Sequence, residues 1–561
     1  MITKINKFAL LLLMLCCTLS VSAAAEAEYK KLAKTWTLNA DGSQEFRYNM
    51  ELNLFTHAAM KGMYGESFIV YNPQYQTVKI NESYTKQKDG NIVKTPENAF
   101  VKVLPRNAAG APAYNHLTEL VIVHTGLELG ATIYLDYTVT SKPGYLPEID
   151  VFEVIQQTSP VREYTLTTVT PANKTVNYTL ANSSVKPSVK EEGGNRVTTW
   201  SFRNLPQQST SAYVNIANGD LPFLAATTYA DSKAALQTLN KQMNVSDQEI
   251  KTLVAEVTKG SKCEKCKMKK ISSFITTNLS SSALTLTEAG YRFRPTSEVL
   301  KTAYGTEVEK ANLMAAMLNA AGLKAEVLAG YPVKVSQGLG LKAINSLYVA
   351  VDGQEYIFSN KGLVRPQQVV FGQSPLYKVA DGSLVAIEAA KNYQISGKQN
   401  ISVADGQWII ANNETVGEDL LPYFADTKVA KESKVAIDAH HGYATLVLGE
   451  SANGVSTLGY GALNSTRKGN LLLPRLVDET YTYEVDCPAN MQLRSVASNK
   501  EIHNAAGDLV ISLQKNGQKA TVTRSLKLNK QLYTPAEYKA LRSLLTAWSD
   551  VNAKTLFFSV K

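Results

Sequence analysis

Few residues in this sequence have the types and spacing that chemistry requires. Cys263-Glu264-Lys265-Cys266 places two thiols at the start of a predicted helix, among Lys259, Lys262, Lys265, Lys267, Lys269 and Lys270. Positive charge there would lower a thiol pKa and open disulfide exchange. The redox form of this motif normally follows a β-strand, whereas this one follows a helix. Zinc asks for about four ligands, and no second pair has suitable spacing. A local disulfide or two inert thiols is therefore expected, and the lysine run reads as a solvated helix face. His440-His441 falls in a β-patterned region, where neighbouring side chains face opposite sides and cannot readily chelate one metal. Glu307 and Glu309 lie in the first turn of another predicted helix, where the helix dipole favours carboxylates. Glu309 is the only carboxylate near Glu307 in sequence, so Glu307 is expected to be structural rather than half of an acid–base pair. No phosphate-binding glycine loop, Ser-His-Asp order or zinc-protease helix occurs. Basic and aromatic residues are not interleaved as a nucleic-acid platform requires. No cofactor, metal or nucleic-acid partner is expected.

The elements that must position these residues alternate between two periods. In Phe46 to Leu54 the large apolar residues fall on every second position, which puts them on one face of a strand. Similar runs follow at Val78 to Tyr84, joined across Asp89-Gly90 to Ile92-Val93, then at Leu120 to Val123, Ile133 to Val139, Tyr164 to Val169 and Val197 to Phe202. Short strands between turn signals predict a β-sandwich, with two sheets of unequal size. Near Thr227 the period lengthens to that of helices. Ser246-Asp247-Gln248-Glu249 has capping-box spacing, and a second helix covers roughly Glu264 to Asn278. A third follows Gly305, with Thr306 and Glu309 as a capping pair, a core face of Leu313, Met314, Met317 and Leu318, and Gly322 as its stop. Strands Leu347 to Val351 and Gln354 to Phe358 then pair across Asp352-Gly353. From about Val364 the β pattern returns, until Thr534-Pro535 opens a late helix before a last strand, Leu556 to Val560.

Length and composition bound the rest. A chain of 561 residues with 44% hydrophobic and 19% charged residues is folded and too long for one core. Met1 to Ala23 carries Lys4 and Lys7, an apolar run from Phe8 to Val21 and a small-residue end at Val21-Ser22-Ala23, the pattern of a cleaved signal peptide. Its apolar run is shorter than the ~20 residues a spanning helix needs, and nothing later approaches that length. Met14 and Leu15, large residues ahead of Cys16-Cys17, disfavour lipidation there. Beyond the leader only Cys263, Cys266 and Cys487 remain, too few for a disulfide scaffold. The net charge of +9 drops by two with the leader and would favour, without requiring, anionic glycans or lipid head groups.

Arg294-Pro295-Thr296-Ser297-Glu298-Val299-Leu300 followed by Gly305 to Ala325, between exported β-domains, resembles a family of bacterial envelope proteins. These carry a transglutaminase-like, papain-like α+β core between an N-terminal domain of unknown function (3857) and a C-terminal β-domain. The resemblance implies a multidomain, mainly β chain: signal peptide 1–23, N-terminal β-sandwich 26–225, helical segment and core 228–363, and β-rich C-terminal region 364–561. In active relatives the helix begins Gly-Asp-Cys-x-Asp-x-Ala. Here Gly305 and Ala311 match, Glu309 replaces the second aspartate, and Glu307 stands where the cysteine belongs. Ser346 follows Asn345 where the family has its histidine, and the third residue falls at Phe358 or Ser359.

A carboxylate cannot replace a thiol in acyl transfer. No histidine lies between His124 and His440 and no cysteine between Cys266 and Cys487, so the core cannot assemble a Cys-His pair by itself. The expectation is a non-catalytic exported protein that binds or scaffolds, with an envelope protein, peptide or glycan as partner. The alternative is an enzyme: a thiol-dependent acyltransferase or peptidase with a nucleophile supplied from elsewhere, or disulfide exchange at Cys263 and Cys266.

Overall fold

The computed structural model describes residues 25–209, 220–243, 248–369, 374–423, 425–459, 463 and 466–561. The predicted leader, Met1 to Ala23, and the capping residues Ser246 and Asp247 lie outside the described residues.

Residues from Ala27 to Thr227 form the first β-domain. Its main sheet runs in the order Ser188–Glu192, Asn195–Leu205, Val161–Pro171, Ala27–Leu38, Gln44–Leu54, Thr132–Ser141, Gln76–Lys86, Ile92–Lys94. All neighbours in it are antiparallel except Ala27–Leu38 with Val161–Pro171, which run parallel. Alternation in the sequence translates directly into one buried face, carrying Leu32, Leu52, Ile133, Leu135, Tyr164, Leu166 and Trp200. Two three-stranded sheets, rather than one smaller partner, accompany it: Asn177–Ala181, Phe223–Thr227, Asp150–Val154, and Glu66–Tyr71, Thr118–Val123, Phe100–Val103. Strand Phe223–Thr227 carries this domain slightly past the expected end at residue 225.

The helices that follow are α1 (Ser232–Asn240), α2 (Gln248–Val257), α3 (Glu264–Asn278), α4 (Thr296–Thr302) and α5 (Glu307–Ala320). Every residue of α5 from Val308 to Leu318 is buried, polar Glu309, Lys310 and Asn312 included. A helix enclosed on all sides belongs to the centre of a core and not to its surface. Its ends carry the expected signals: a Thr306–Glu309 capping box at the start, and Gly322 at φ +83° just after the last turn.

Behind α5 stands a six-stranded sheet in the order Gly362–Val364, Ile357–Ser359, Ser346–Val351, Ala325–Gly330, Leu376–Lys378, Leu384–Val385. The expected boundary at residue 364 therefore falls inside a sheet. The strands beyond it are two or three residues long, too short for alternation to distinguish them from loop.

The C-terminal domain begins at Ile395–Ala404, in a seven-stranded sheet packed with a four-stranded one that holds the last strand, Thr555–Val560. Helix α6 (Pro535–Ser549) closes its core with Leu541, Leu544, Leu545 and Trp548. His440 ends a two-residue strand and His441 takes φ +52° in the turn after it; His440 Nε2 lies 2.8 Å from Asp438, both exposed. Among the described residues neither ring has a ligand set around it.

Candidate functional site

Thr306 and Glu307 head α5 at the floor of a groove of about 240 Å³, lined also by Ser282–Leu286, Ile344–Leu347 and Asn360, whose Oδ1 accepts from Ser281 Oγ at 3.3 Å. Glu307 Oε1 accepts the backbone N–H of Leu347 at 3.1 Å. The donor is free for a topological reason. Register Val349↔Phe358 places residue 360 opposite Leu347, but that strand stops at Ser359. Burial pushes the Glu307 carboxyl above its ordinary pKa, partly opposed by the Leu347 N–H.

Ser346 begins its strand beside the groove, as expected, and donates to Asn345 Oδ1 at 3.1 Å. Phe358 does not face the groove. It is 2% exposed and packs in the core, because the strand pleat turns it inward. Ser359 is also turned away, its hydroxyl bonded to the Gly362 carbonyl at 3.0 Å. The groove-facing third residue is Asn360, one position beyond the strand, which hairpin counting missed and the Asn360-Lys361-Gly362 turn signal marks. Glu307, Ser346 and Asn360 thus meet at one groove.

Glu309 is a separate matter. Its fully buried carboxylate accepts from Tyr114 Oη (2.6 Å), Arg294 N, Nε and Nη2 (3.0, 2.8 and 2.9 Å) and Thr306 N (2.8 Å). Those donors hold its pKa below the ordinary carboxylate value although burial alone would raise it. Arg294 stacks 4.2 Å from the Tyr304 ring centre and 5.5 Å from that of Tyr114. Every lone pair is spoken for, so Glu309 cannot serve Glu307 as an acid–base partner. Lys310 is likewise buried, donating to Ser281 Oγ at 2.8 Å. Tyr114 comes from the N-terminal domain, in the segment that packs Ala108, Ala111 and Leu117 against Leu284 and Tyr304. Sequence gave no signal for it.

The thiols lie elsewhere. Cys263 and Cys266 are joined in a disulfide at the start of α3, with Cys263 Sγ also capping the helix by accepting from Cys266 N. That end of α3 sits by the far end of α5, since Lys267 Nζ donates to the Ala321 carbonyl at 3.0 Å. A helix the length of α5 separates it from Glu307, about 20 Å at 1.5 Å per residue. Cys487 is buried in the C-terminal core. Among the described residues no cysteine or histidine lines the groove, and no three His, Cys, Asp or Glu side chains cluster to hold a metal.

Residues 251–360 match the transglutaminase-like superfamily, 40–208 match domain of unknown function 3857 and 450–558 match domain of unknown function 3858. A crystal structure from Parabacteroides distasonis ATCC 8503, described provisionally as a protease, is similar to the whole chain. It is 40% identical with a TM-score of 0.81, over 95% of this chain and 99% of that one. The comparison with curated proteins returned no match. The chain belongs to the family that sets a transglutaminase-like core between these two domains of unknown function. Among the described residues no helix is long and apolar enough to cross a membrane.

Proposed function

We propose that this chain is a non-catalytic exported protein of a bacterial envelope, whose transglutaminase-like core binds peptide in the groove above Glu307. The observation that carries the reading is the set of side chains at that groove: Glu307, Ser346 and Asn360, with neither thiol nor imidazole beside them. Nucleophilic acyl transfer needs a nucleophile and a base within hydrogen-bond reach. Glu307 instead ties the head of α5 to the edge of the sheet through Leu347 N–H. Hydroxyls, amides and one half-buried carboxylate remain, a set that hydrogen-bonds peptide amides or an amine. The protease description given to the P. distasonis protein favours peptide as the ligand class. The leader pattern at Met1 to Ala23 supports export.

Titration with end-blocked peptides carrying glutamine or lysine, read by calorimetry, tests binding. Ser346→Leu, which fills the groove, is expected to weaken the best binder at least tenfold, and Glu307→Gln to weaken amine-bearing peptides more than neutral ones. Affinity unchanged in Ser346→Leu would remove the groove from the reading.

A further inference from the structure

A second cleft, of about 690 Å³, lies between the core sheet and the C-terminal domain, and its long wall is one continuous stretch, Leu384 to Ala390. The volume is that of a site for a small ligand or a short peptide segment. The wall begins as the last strand of the core sheet, Leu384–Val385, which pairs with Leu376–Lys378 on one side and ends the sheet on the other. From Ala386 to Ala390 the chain has no helix or strand partner. Among the described residues, the Glu388 carbonyl alone of its backbone groups has one, accepting from Gln367 Nε2 at 2.9 Å. Gln367 Oε1 is buried at the cleft without a partner. Leu384 is 47% exposed at the start of this row.

Of the charged groups lining the cleft, Asp419, Arg475 and Glu388 have ion-pair partners, while the exposed Lys334 has none among the described residues. Asp419 accepts from Lys391 N (2.7 Å) and Asn392 N (2.9 Å) and lies 3.4 Å from Arg365 Nε. Arg475 pairs with Glu479 at 3.3 Å, and Glu388 with Lys391 at 2.6 Å. What the cleft has to offer is a sheet edge, unpaired peptide groups, neutral amides and apolar side chains. That combination is complementary to another peptide backbone.

We infer that this cleft takes an extended peptide segment, which adds as a strand alongside Leu384–Ala390. An edge strand with unpaired N–H and C=O groups is a ready template for such addition. Seven residues of strand span about 23 Å, so a segment of similar length fits. This site is distinct from the groove at Glu307 and stands whether or not that groove binds.

The probe is a positional-scanning library of end-blocked octapeptides applied to the full chain, with the best binder resynthesised carrying N-methyl groups on alternate amides. Binding with a micromolar Kd is expected, together with slowed amide exchange across residues 386–390. N-methylation is expected to weaken it at least tenfold while leaving the protein untouched. Ala389→Pro, in a segment without internal hydrogen bonds, is expected to weaken it similarly with Tm unchanged. No binder at 100 µM, binding indifferent to N-methylation, or protection confined to residues 344–347 would each overturn the inference.

Discussion

Two carboxylates two residues apart, Glu307 and Glu309, show how environment divides labour in the first turn of one helix. Glu309 is fully buried and ionised because five hydrogen bonds replace its water. Removing one partner of a buried charge pair leaves the other stranded, at a cost of about 3–5 kcal/mol. Glu309→Ala is therefore expected to lower core stability by that order in urea denaturation, since Arg294 would lose its counter-ion. The pH dependence carries opposite signs for the two residues. Glu309, with its folded pKa depressed, stabilises above the ordinary carboxylate value of 4.5 and loses that contribution as pH falls through its folded pKa. Glu307, with its folded pKa raised, is less stabilising as pH climbs from 4.5 through its folded pKa. The capping role of Glu309 was legible from Thr306-x-x-Glu309 spacing alone. Its ties to Tyr114 and Arg294 were not, because nothing local in sequence reports a partner from another domain.

At the scale of elements, the loop between strands Ala325–Gly330 and Ser346–Val351 joins the core to the N-terminal domain and then supplies the groove wall. Thr179 Oγ1 donates to the Gln337 carbonyl (2.7 Å), Gln337 Nε2 to the Tyr178 carbonyl (3.0 Å) and Lys342 N to Asp150 Oδ2 (2.8 Å). Gly338, at φ +91°, has no room for a side chain: a Cβ there would meet the Ala225 carbonyl oxygen at 2.5 Å. Asp150 is buried in this seam, and desolvation raises its pKa to about 6 from an ordinary 3.8. Its unfolded form ionises first, so stability is highest below 3.8 and declines as pH rises towards 6. A shift of this size corresponds to on the order of 3 kcal/mol. Protection of the amides of residues 337–342, taken relative to the intrinsic exchange rate at each pH, is expected to be greater at pH 5 than at pH 7.5, and Asp150→Asn to abolish that difference. Equal protection of the wild type at both pH values would contradict the role given to Asp150. The strong elements here, α5 and its flanking strands, could be read from periodicity and caps. The loop could not, because its conformation is set by what it docks against.

For the whole molecule, the three largest hydrophobic cores among the described residues correspond to the three regions that sequence patterning outlined, and the errors sit at their edges. Short strands Leu376–Lys378 and Leu384–Val385 extend the core sheet into what alternation assigned to the next domain. Phe358 went to the core and Asn360 to the groove because Phe358 lies within the strand, while Asn360 lies one position past its end at Ser359, where the strand's alternation no longer holds. The thiols could be placed only in three dimensions. Cys263 and Cys266 sit a helix length from Glu307, beside the far end of α5. The assembly keeps a transglutaminase-like frame around a groove floored by a carboxylate, and the function proposed for it requires that no turnover occur there. The most direct measurement incubates the full chain with a glutamine-bearing peptide and a primary amine, and follows deamidated, transamidated and cleaved products by mass spectrometry. No product above the protein-free control is expected from the wild type, from Glu307→Gln or from Cys263→Ser with Cys266→Ser. Product formed by the wild type and lost in any of these variants would contradict a non-catalytic core.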